Sequence, residues 1–208
     1  MSNSDMLIQG SPEWFAFRLG KVSASRVSDL MAKTKSGFAS SRKNYMSELL
    51  CQRLTGTREE GFTSAAMQRG AEMEPIARSR YENETDTKVF ETGCIAHPDI
   101  EDFVASPDGL VGFDGSIEIK CPNTATHIEF IKSGKIPANY QKQMTAQMLC
   151  AERSWTDFVM FDDRLPHHLA YKCIRFHLDS DLAEEMERDV LKFLIELNET
   201  IEILENIK

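Results

Sequence analysis

The run Ser116-Ile117-Glu118-Ile119-Lys120 places the tightest demand on the fold. Strict alternation of apolar and charged residues reads as a β-strand, because side chains at i and i+2 share one face. Ile117 and Ile119 then enter one layer, while Glu118 and Lys120 stand side by side on the other. Asp114-Gly115, just upstream, is the signature of a two-residue type I′ hairpin turn, which needs positive φ at both positions. That turn lays the preceding strand against this one and brings its Asp108 end beside Lys120. Alternation alone does not carry Asp108 to the Glu118 face, so a distortion at Pro107 and Gly109 is expected to aim it there.

The hairpin sits in a cluster of short, turn-bounded segments, 88–91, 94–97, 103–105, 110–113 and 116–121, which read as a run of antiparallel strands. Helical patterns surround it. Ser11-Pro12-Glu13 supplies an N-cap and first turn for a short helix carrying Trp14, Phe15 and Phe17 as far as Gly20. A second helix starts at Ser23 or Ser25 and runs through Met31. Residues 34–38 read as a mobile loop, and helices are predicted over 41–54, 64–82, 124–133 and 137–150. Strands follow at 155–161 and 171–176. Leu182, Met186, Val190, Phe193, Leu194 and Leu197 mark one face of a long terminal helix over 180–206, with an acidic outer face. Across 208 residues, 41% of them hydrophobic, no repeat or long Pro/Gly-rich linker intervenes. The expectation is a single domain over 1–208, of α/β (α+β) class, with helices packed about one central mixed sheet.

A formal charge of −9 argues against bulk attraction to nucleic acid or anionic membrane. The charge is uneven: residues 14–58 carry 9 basic and 2 acidic side chains, whereas 179–208 carry 3 and 10. A polyanion partner must therefore be gripped locally. No apolar run approaches a membrane span, and the first residues lack a secretory pattern, so no membrane partner and a cytoplasmic location are expected. Cys51, Cys94, Cys121, Cys150 and Cys173 form no C-x-x-C pair and are read as reduced thiols, without zinc or an iron-sulfur cluster. His167-His168 reads as a surface pair, and no catalytic partner for His97, His127 or His177 is identifiable.

Asp108 and Glu118 converging at a sheet edge would form a hard-oxygen site suited to Mg²⁺, which accepts carboxylates, waters and phosphate oxygens. A neighbouring Lys120 can orient or deprotonate a water and offset the charge of a phosphorane. These are the parts needed for phosphodiester hydrolysis. The alternative is a simple turn at Asp108-Gly109 with Glu118 and Lys120 as an exposed ion pair on an edge strand.

Pro107-Asp108 … Glu118-Ile119-Lys120 resembles the PD-(D/E)-x-K nuclease signature. The chain from about residue 11 to 160 is similar to the lambda exonuclease family of phage recombination nucleases. Trp14 to Gly20 with Ser23-Ala24-Ser25, Gly70 to Glu74, Ser106 to Leu110, Glu118 to Pro122 and Asn139 to Gln143 match in order. The resemblance implies a restriction-endonuclease-like core. It implies Asp108, Glu118 and the Ile119 carbonyl as ligands of one or two Mg²⁺ ions, with Mn²⁺ as a substitute. Lys120, helped by Glu74, would activate water, and Arg18, Ser25, Ser106 and Gln143 would hold a 5′-terminal phosphate. Lys35 would contact incoming duplex and Met67 would wedge apart the terminal base pairs, although a methionine on a helix more often joins the core.

Two departures stand out. Related nucleases place a tyrosine four residues after the motif glutamine, where this chain has Gln147, which leaves open whether Gln141, Gln143 or Gln147 reaches the phosphate. Lys35 replaces an arginine, exchanging a fork for a point charge. The implied activity is Mg²⁺-dependent 5′→3′ digestion of linear double-stranded DNA from 5′-phosphorylated ends. Mononucleotides would be released and 3′ tails left for recombination. The implied partners are a single-strand annealing protein and two further copies in a homotrimeric ring. The alternatives are an endonuclease or single-strand-preferring nuclease, and a catalytically silent DNA-end-binding assembly subunit.

Overall fold

The computed structural model describes residues 7–35, 37–59, 61 and 64–207. Helix α1 (Pro12–Arg18) begins where the Ser11 hydroxyl accepts the Trp14 amide at 3.2 Å. Strand β1 (Val22–Ser23) leads through a 3₁₀ turn, Ala24–Arg26, into α2 (Val27–Leu30). The hairpin β2 (Lys33–Thr34) and β3 (Gly37–Phe38) precedes α3 (Ser40–Thr55) and α4 (Ala65–Thr85), the latter capped by Ser64. Five short strands follow: β4 (Val89–Phe90), β5 (Ile95–Ala96), β6 (Phe103–Ala105), β7 (Gly109–Val111) and β8 (Gly115–Lys120). Then come α5 (Thr124–Ser133), α6 (Ala138–Ala151), β9 (Trp155–Phe161), β10 (Tyr171–His177) and α7 (Ser180–Glu205).

The strand cluster divides between two sheets. The larger has the order β10-β9-β8-β7-β4, and a smaller one has the order β1-β6-β5. Within the larger sheet β8 and β9 are parallel and the remaining pairs antiparallel. A parallel pair needs a crossover, which α5 and α6 supply. The class is the mixed α/β one that the sequence predicts, but its antiparallel run is split, and its last strand, β8, becomes the middle strand of five.

Each face of the larger sheet is covered. Ile117, Ile119, Val159 and Phe161 pack with Ala77 and Tyr81 of α4. Phe158 and Met160, on the other face, meet Phe130, Ile136 and Met144. Helix α6 lies between the two sheets: Met144 faces the larger one, while Ala146 and Cys150 join the core that contains Val22, Tyr45, Phe103 and Phe193. The terminal helix buries Met186, Val190, Phe193, Leu194 and Leu197 in that same core, as its apolar stripe predicts, with Leu182 at the margin. All five cysteines are free thiols.

Two local expectations are overturned. Val111 pairs directly with Gly115, so residues 112–114 form a three-residue loop and only Gly112, at φ 60°, is left-handed. Gly115 belongs to the strand because a Cβ there would lie 2.1 Å from Trp155 Cζ2 of the neighbouring strand. The Asp-Gly pair thus reflects a close approach rather than turn geometry. The expected loop at 34–38 is instead a tight hairpin in which Thr34 Oγ1 donates to Gly37 O at 3.0 Å; Ser36 lies outside the described residues. Lys33 ties this hairpin to α7 through Glu185 and Asp189.

Beyond β9, the buried carboxylate of Asp162 accepts from Arg164 Nε at 2.7 Å and Thr124 Oγ1 at 2.6 Å, with Arg69 of α4 alongside. Burial pushes its pKa up, but Arg164 and Thr124 outweigh this and hold it at about 2. A depressed carboxylate pKa contributes stability at neutral pH that is lost as pH falls through the window from about 4 to about 2. Asp162→Asn should lower stability at pH 7 and flatten the acid dependence of the urea midpoint; an unchanged slope would exclude this role. Gly115→Ala should lower stability by roughly 1–3 kcal/mol through overpacking against Trp155, measured by denaturant unfolding, and an unshifted midpoint would refute the close-approach account.

Candidate active site

The antiparallel register sets Gly109 opposite Ile117, so one step outward Asp108 stands opposite Glu118. Directly opposed residues of an antiparallel pair share a face. The chain bends at Asp108, just before β7, as the departure expected there from the sequence requires; bend and register together bring Asp108 beside Glu118, and Asp108 Oδ2 accepts the Ile119 amide at 2.6 Å. Gly109 is required for another reason: a Cβ there would meet Val89 Cγ1 at 2.2 Å.

Glu118 is 1% exposed on the middle strand, so the exposed edge-strand ion pair is excluded. The site likewise lies inside the sheet rather than at its lateral edge. Both carboxylate oxygens are engaged from α6, Oε1 by Gln143 Nε2 at 2.7 Å and Oε2 by Gln147 Nε2 at 2.6 Å. Lys120 Nζ also pairs with Oε1. Such charge-assisted bonds are what a buried carboxylate requires. Gln141 does neither task; its amide donates to Ile136 O at 2.7 Å.

A cavity of about 220 Å³ opens beside these groups, lined by Asp108, Glu118, Lys120, Gln143 and Gln147 on one side and by Trp14, Arg18, Ser25 and Ser106 on the other. Arg18 lies over the Trp14 ring, 4.1 Å from its centroid. Both residues donate to Ser106 Oγ, Trp14 Nε1 at 3.0 Å and Arg18 Nη1 at 3.1 Å. The Cys94 thiol lies within hydrogen-bonding reach of both Ser106 and Arg18 and belongs to the same group. Arg18 has no carboxylate partner among the described residues. Burial presses its pKa down, against the opposing influence of Cys94 and Tyr45. A guanidinium held on a serine and an indole, with no carboxylate opposing it, is prepared for an anion.

Like charges crowd the opposite wall. Burial, then Glu118, pushes the Asp108 carboxyl well above its usual range, against Lys120. Burial also raises Glu74, with Arg78 and Lys120 opposing. Burial lowers Lys120, but the carboxylates of Glu118 and Asp108 more than reverse this and raise it, so Lys120 is firmly cationic. Among the described residues no cluster of three or more His, Cys, Asp and Glu side chains encloses a metal. Two hard carboxylates beside an open cavity, one of them destabilised by its neighbour's charge, nevertheless fit Mg²⁺, which retains waters and substrate oxygens.

The structure thus gathers seven sequence-predicted residues around one cavity: Arg18, Ser25, Ser106, Asp108, Glu118, Lys120 and Gln143. Glu74 acts on them electrostatically but does not line the cavity, and Arg78 Nη2 holds it at 2.8 Å. Lys35 is exposed in the hairpin beside α7, and Met67 is 61% exposed on the first turn of α4, outside the core; neither lines the cavity. Trp14 was missed. Its i,i+4 spacing from Arg18 on a helix was the available signal.

Residues 13–154 match the family described as YqaJ-like viral recombinase domain. The chain superposes with a TM-score of 0.89 on an alkaline exonuclease, LHK-Exo from Laribacter hongkongensis, at 57% identity over 94% of this chain and 96% of that one. The same enzyme has been solved in complex with dAMP and matches equally well. A phage-related exonuclease from Haemophilus somnus shares the fold, at TM-score 0.70 and 16% identity, over 88% of this chain and 96% of that one. Comparison with curated protein sequences finds no match. The family match spans more than half of the chain and settles kinship: the chain belongs to the YqaJ-like viral recombinase family, whose fold it shares with phage-type exonucleases.

Proposed function

We propose that the protein is a Mg²⁺-dependent exonuclease that digests linear double-stranded DNA from 5′-phosphorylated ends, releasing 5′ mononucleotides and leaving 3′ single-stranded tails for recombination by annealing. The observation that carries this reading is the single cavity in which the Asp108–Glu118–Lys120 group faces the Trp14–Arg18–Ser106 group. One side suits hydrolysis of a phosphodiester and the other suits a terminal phosphate. The 57% identity to an alkaline exonuclease over nearly the whole chain supports the same class of reaction.

Asp108 and Glu118, with the Ile119 carbonyl, would hold the ion. Bound there, it supplies Lewis-acid stabilisation of the attacking or leaving oxygen. Lys120, kept cationic by the two carboxylates, orients a water by hydrogen bonding and offsets charge on the phosphorus centre. Arg18 forks onto the terminal phosphate while Ser106 and Ser25 donate their hydroxyl protons. Direction follows from this pocket, because each cleavage leaves a new 5′ phosphate that can enter it. A homotrimeric ring around the duplex and a single-strand annealing partner belong to the same reading, as do contacts of Lys35 with duplex and of Met67 with the terminal base pairs.

Linear duplex should be digested with Mg²⁺ while a closed circle of the same sequence survives; cutting of the circle would sink the exonuclease reading, and inertness toward both would favour a silent end-binder. Glu118→Gln and Lys120→Met should each cut kcat by roughly 10²-fold or more, and near-native turnover in either would refute its assigned role. Arg18→Ala should erase a preference of about tenfold or more for 5′-phosphate over 5′-hydroxyl ends. If that mutant still distinguishes the two ends, the pocket is misplaced.

A further inference from the structure

Helix α6 presents two glutamines, one turn apart, to a single carboxylate, and the two are not equivalent. Glu118 Oε1 is shared between Gln143 and Lys120, whereas Oε2 receives its hydrogen bond from Gln147 alone among the described residues. Both line the cavity with Arg18 and Ser106, but Gln147 is 1% exposed while Gln143 is half-buried. The amide oxygen of Gln147 is buried without a partner among the described residues. Leaving an acceptor bare in this way has a cost, and turning the amide over would set that oxygen against Oε2 of Glu118. The orientation of Gln147 is therefore dictated by its bond to Glu118.

We propose that the two glutamines divide the site between them. Gln147 is a fixed positioning residue that holds Glu118 for the metal, whereas Gln143, to which the resemblance already gives the 5′ phosphate, is the donor that Glu118 can release. Withdrawing Gln143 leaves Oε1 still paired with Lys120. Withdrawing Gln147 would strip the only donor from a buried carboxylate oxygen, which is far more costly. The same asymmetry separates the candidates for the phosphate-contacting glutamine, because the half-buried amide can turn toward Arg18 and Ser106 while the buried one cannot leave its carboxylate. This inference rests on the metal-site reading above and adds to it a residue that no motif assigns.

Mn²⁺ binding to the DNA-free protein, measured by calorimetry, and the ratio of cleavage rates on 5′-phosphate and 5′-hydroxyl duplex together test the division. Gln147→Met should weaken Mn²⁺ binding by about tenfold or more and leave the end preference intact, whereas Gln143→Met should erase the preference and hold Mn²⁺ affinity within about threefold. Should Gln147→Met fail to fold, Gln147→Asn, which keeps an amide but withdraws it by one methylene, gives the same reading. Native-like Mn²⁺ affinity in the Gln147 variants would overturn the proposal, as would loss of both properties in both glutamine variants. Glu118→Gln serves as the control. If it too binds Mn²⁺ like the native protein, the metal-site reading itself fails; if it does not, the failure is confined to Gln147.

Discussion

A carboxylate buried in the middle of a sheet must be met by donors, and much of this structure answers to that requirement. Removing Glu118 from water carries an effective penalty of several kcal/mol, which only well-placed hydrogen bonds and a counter-charge offset. Strand β8 supplies Lys120, and α6 supplies Gln143 and Gln147. To deliver two side chains one turn apart, α6 has to lie directly over the strand. In doing so it is buried from Met144 to Met148 and again at Cys150. Those contacts seat the helix between the larger and the smaller sheet, so the polar demand of one residue and the apolar packing of the core specify the same helix position.

The cationic side of the site is narrower than the charge distribution suggests. Of the nine basic side chains in residues 14–58, Arg26, Lys33, Arg42 and Arg53 are tied to carboxylates. Arg26 pairs with Asp29 and Glu48 of the same segment, while Lys33, Arg42 and Arg53 reach Glu185, Asp189, Glu196 and Asp102 further along the chain, so much of the charge polarity goes into holding the fold together. Arg18, Lys21, Lys35, Lys43 and Arg58 are without a carboxylate partner among the described residues. Arg18, Lys21 and Arg58 line one pocket that adjoins the cavity of the candidate site through Trp14, Arg18 and Ser25. In a chain of net charge −9, a polyanion would be gripped by this small unneutralised set and not by the whole basic segment.

What was legible in the sequence was what one period or one cap decides. Alternation at 116–120 placed Ile117 and Ile119 in the core and Glu118 with Lys120 opposite, and Ser11, Ser64 and the apolar stripe of the last helix marked real elements. The failures share a cause, in that a residue's local preference was overruled by a neighbour distant in sequence. Gly115 is a glycine because Trp155, forty residues away, packs on its backbone, and the turn geometry follows Gly112 instead. The split into two sheets depends on β1 pairing in parallel with β6, across about eighty residues. Asp108 does sit in a bend before β7, but which residue that bend meets depends on the register, with Val111 opposite Gly115 and Gly109 opposite Ile117. The i,i+4 spacing places Trp14 beside Arg18 on one helix face, but its indole hydrogen bond to Ser106, ninety-two residues away, leaves no trace in the sequence.

The site also opposes the stability of the fold that holds it. Asp108 and Glu74 have carboxyls raised by burial, each further raised by the charge of Glu118. A raised carboxyl pKa contributes stability that is full below the unfolded-state value and is lost as pH rises through the folded-state value. At the pH where phosphodiester chemistry would run, these groups therefore weaken the empty domain. Arg78 is paired with Glu74 and Lys120 with Glu118, which leaves Asp108 without a cation of its own among the described residues. Asp108 and Glu118 would hold the proposed dication, and its charge would reverse the sign of the interaction and stabilise the native state by mass action. Crowded like charges that are costly without a ligand and favourable with one are what distinguish this cluster from the paired carboxylates of Asp157 and Asp162, each of which is met by an arginine on the protein itself.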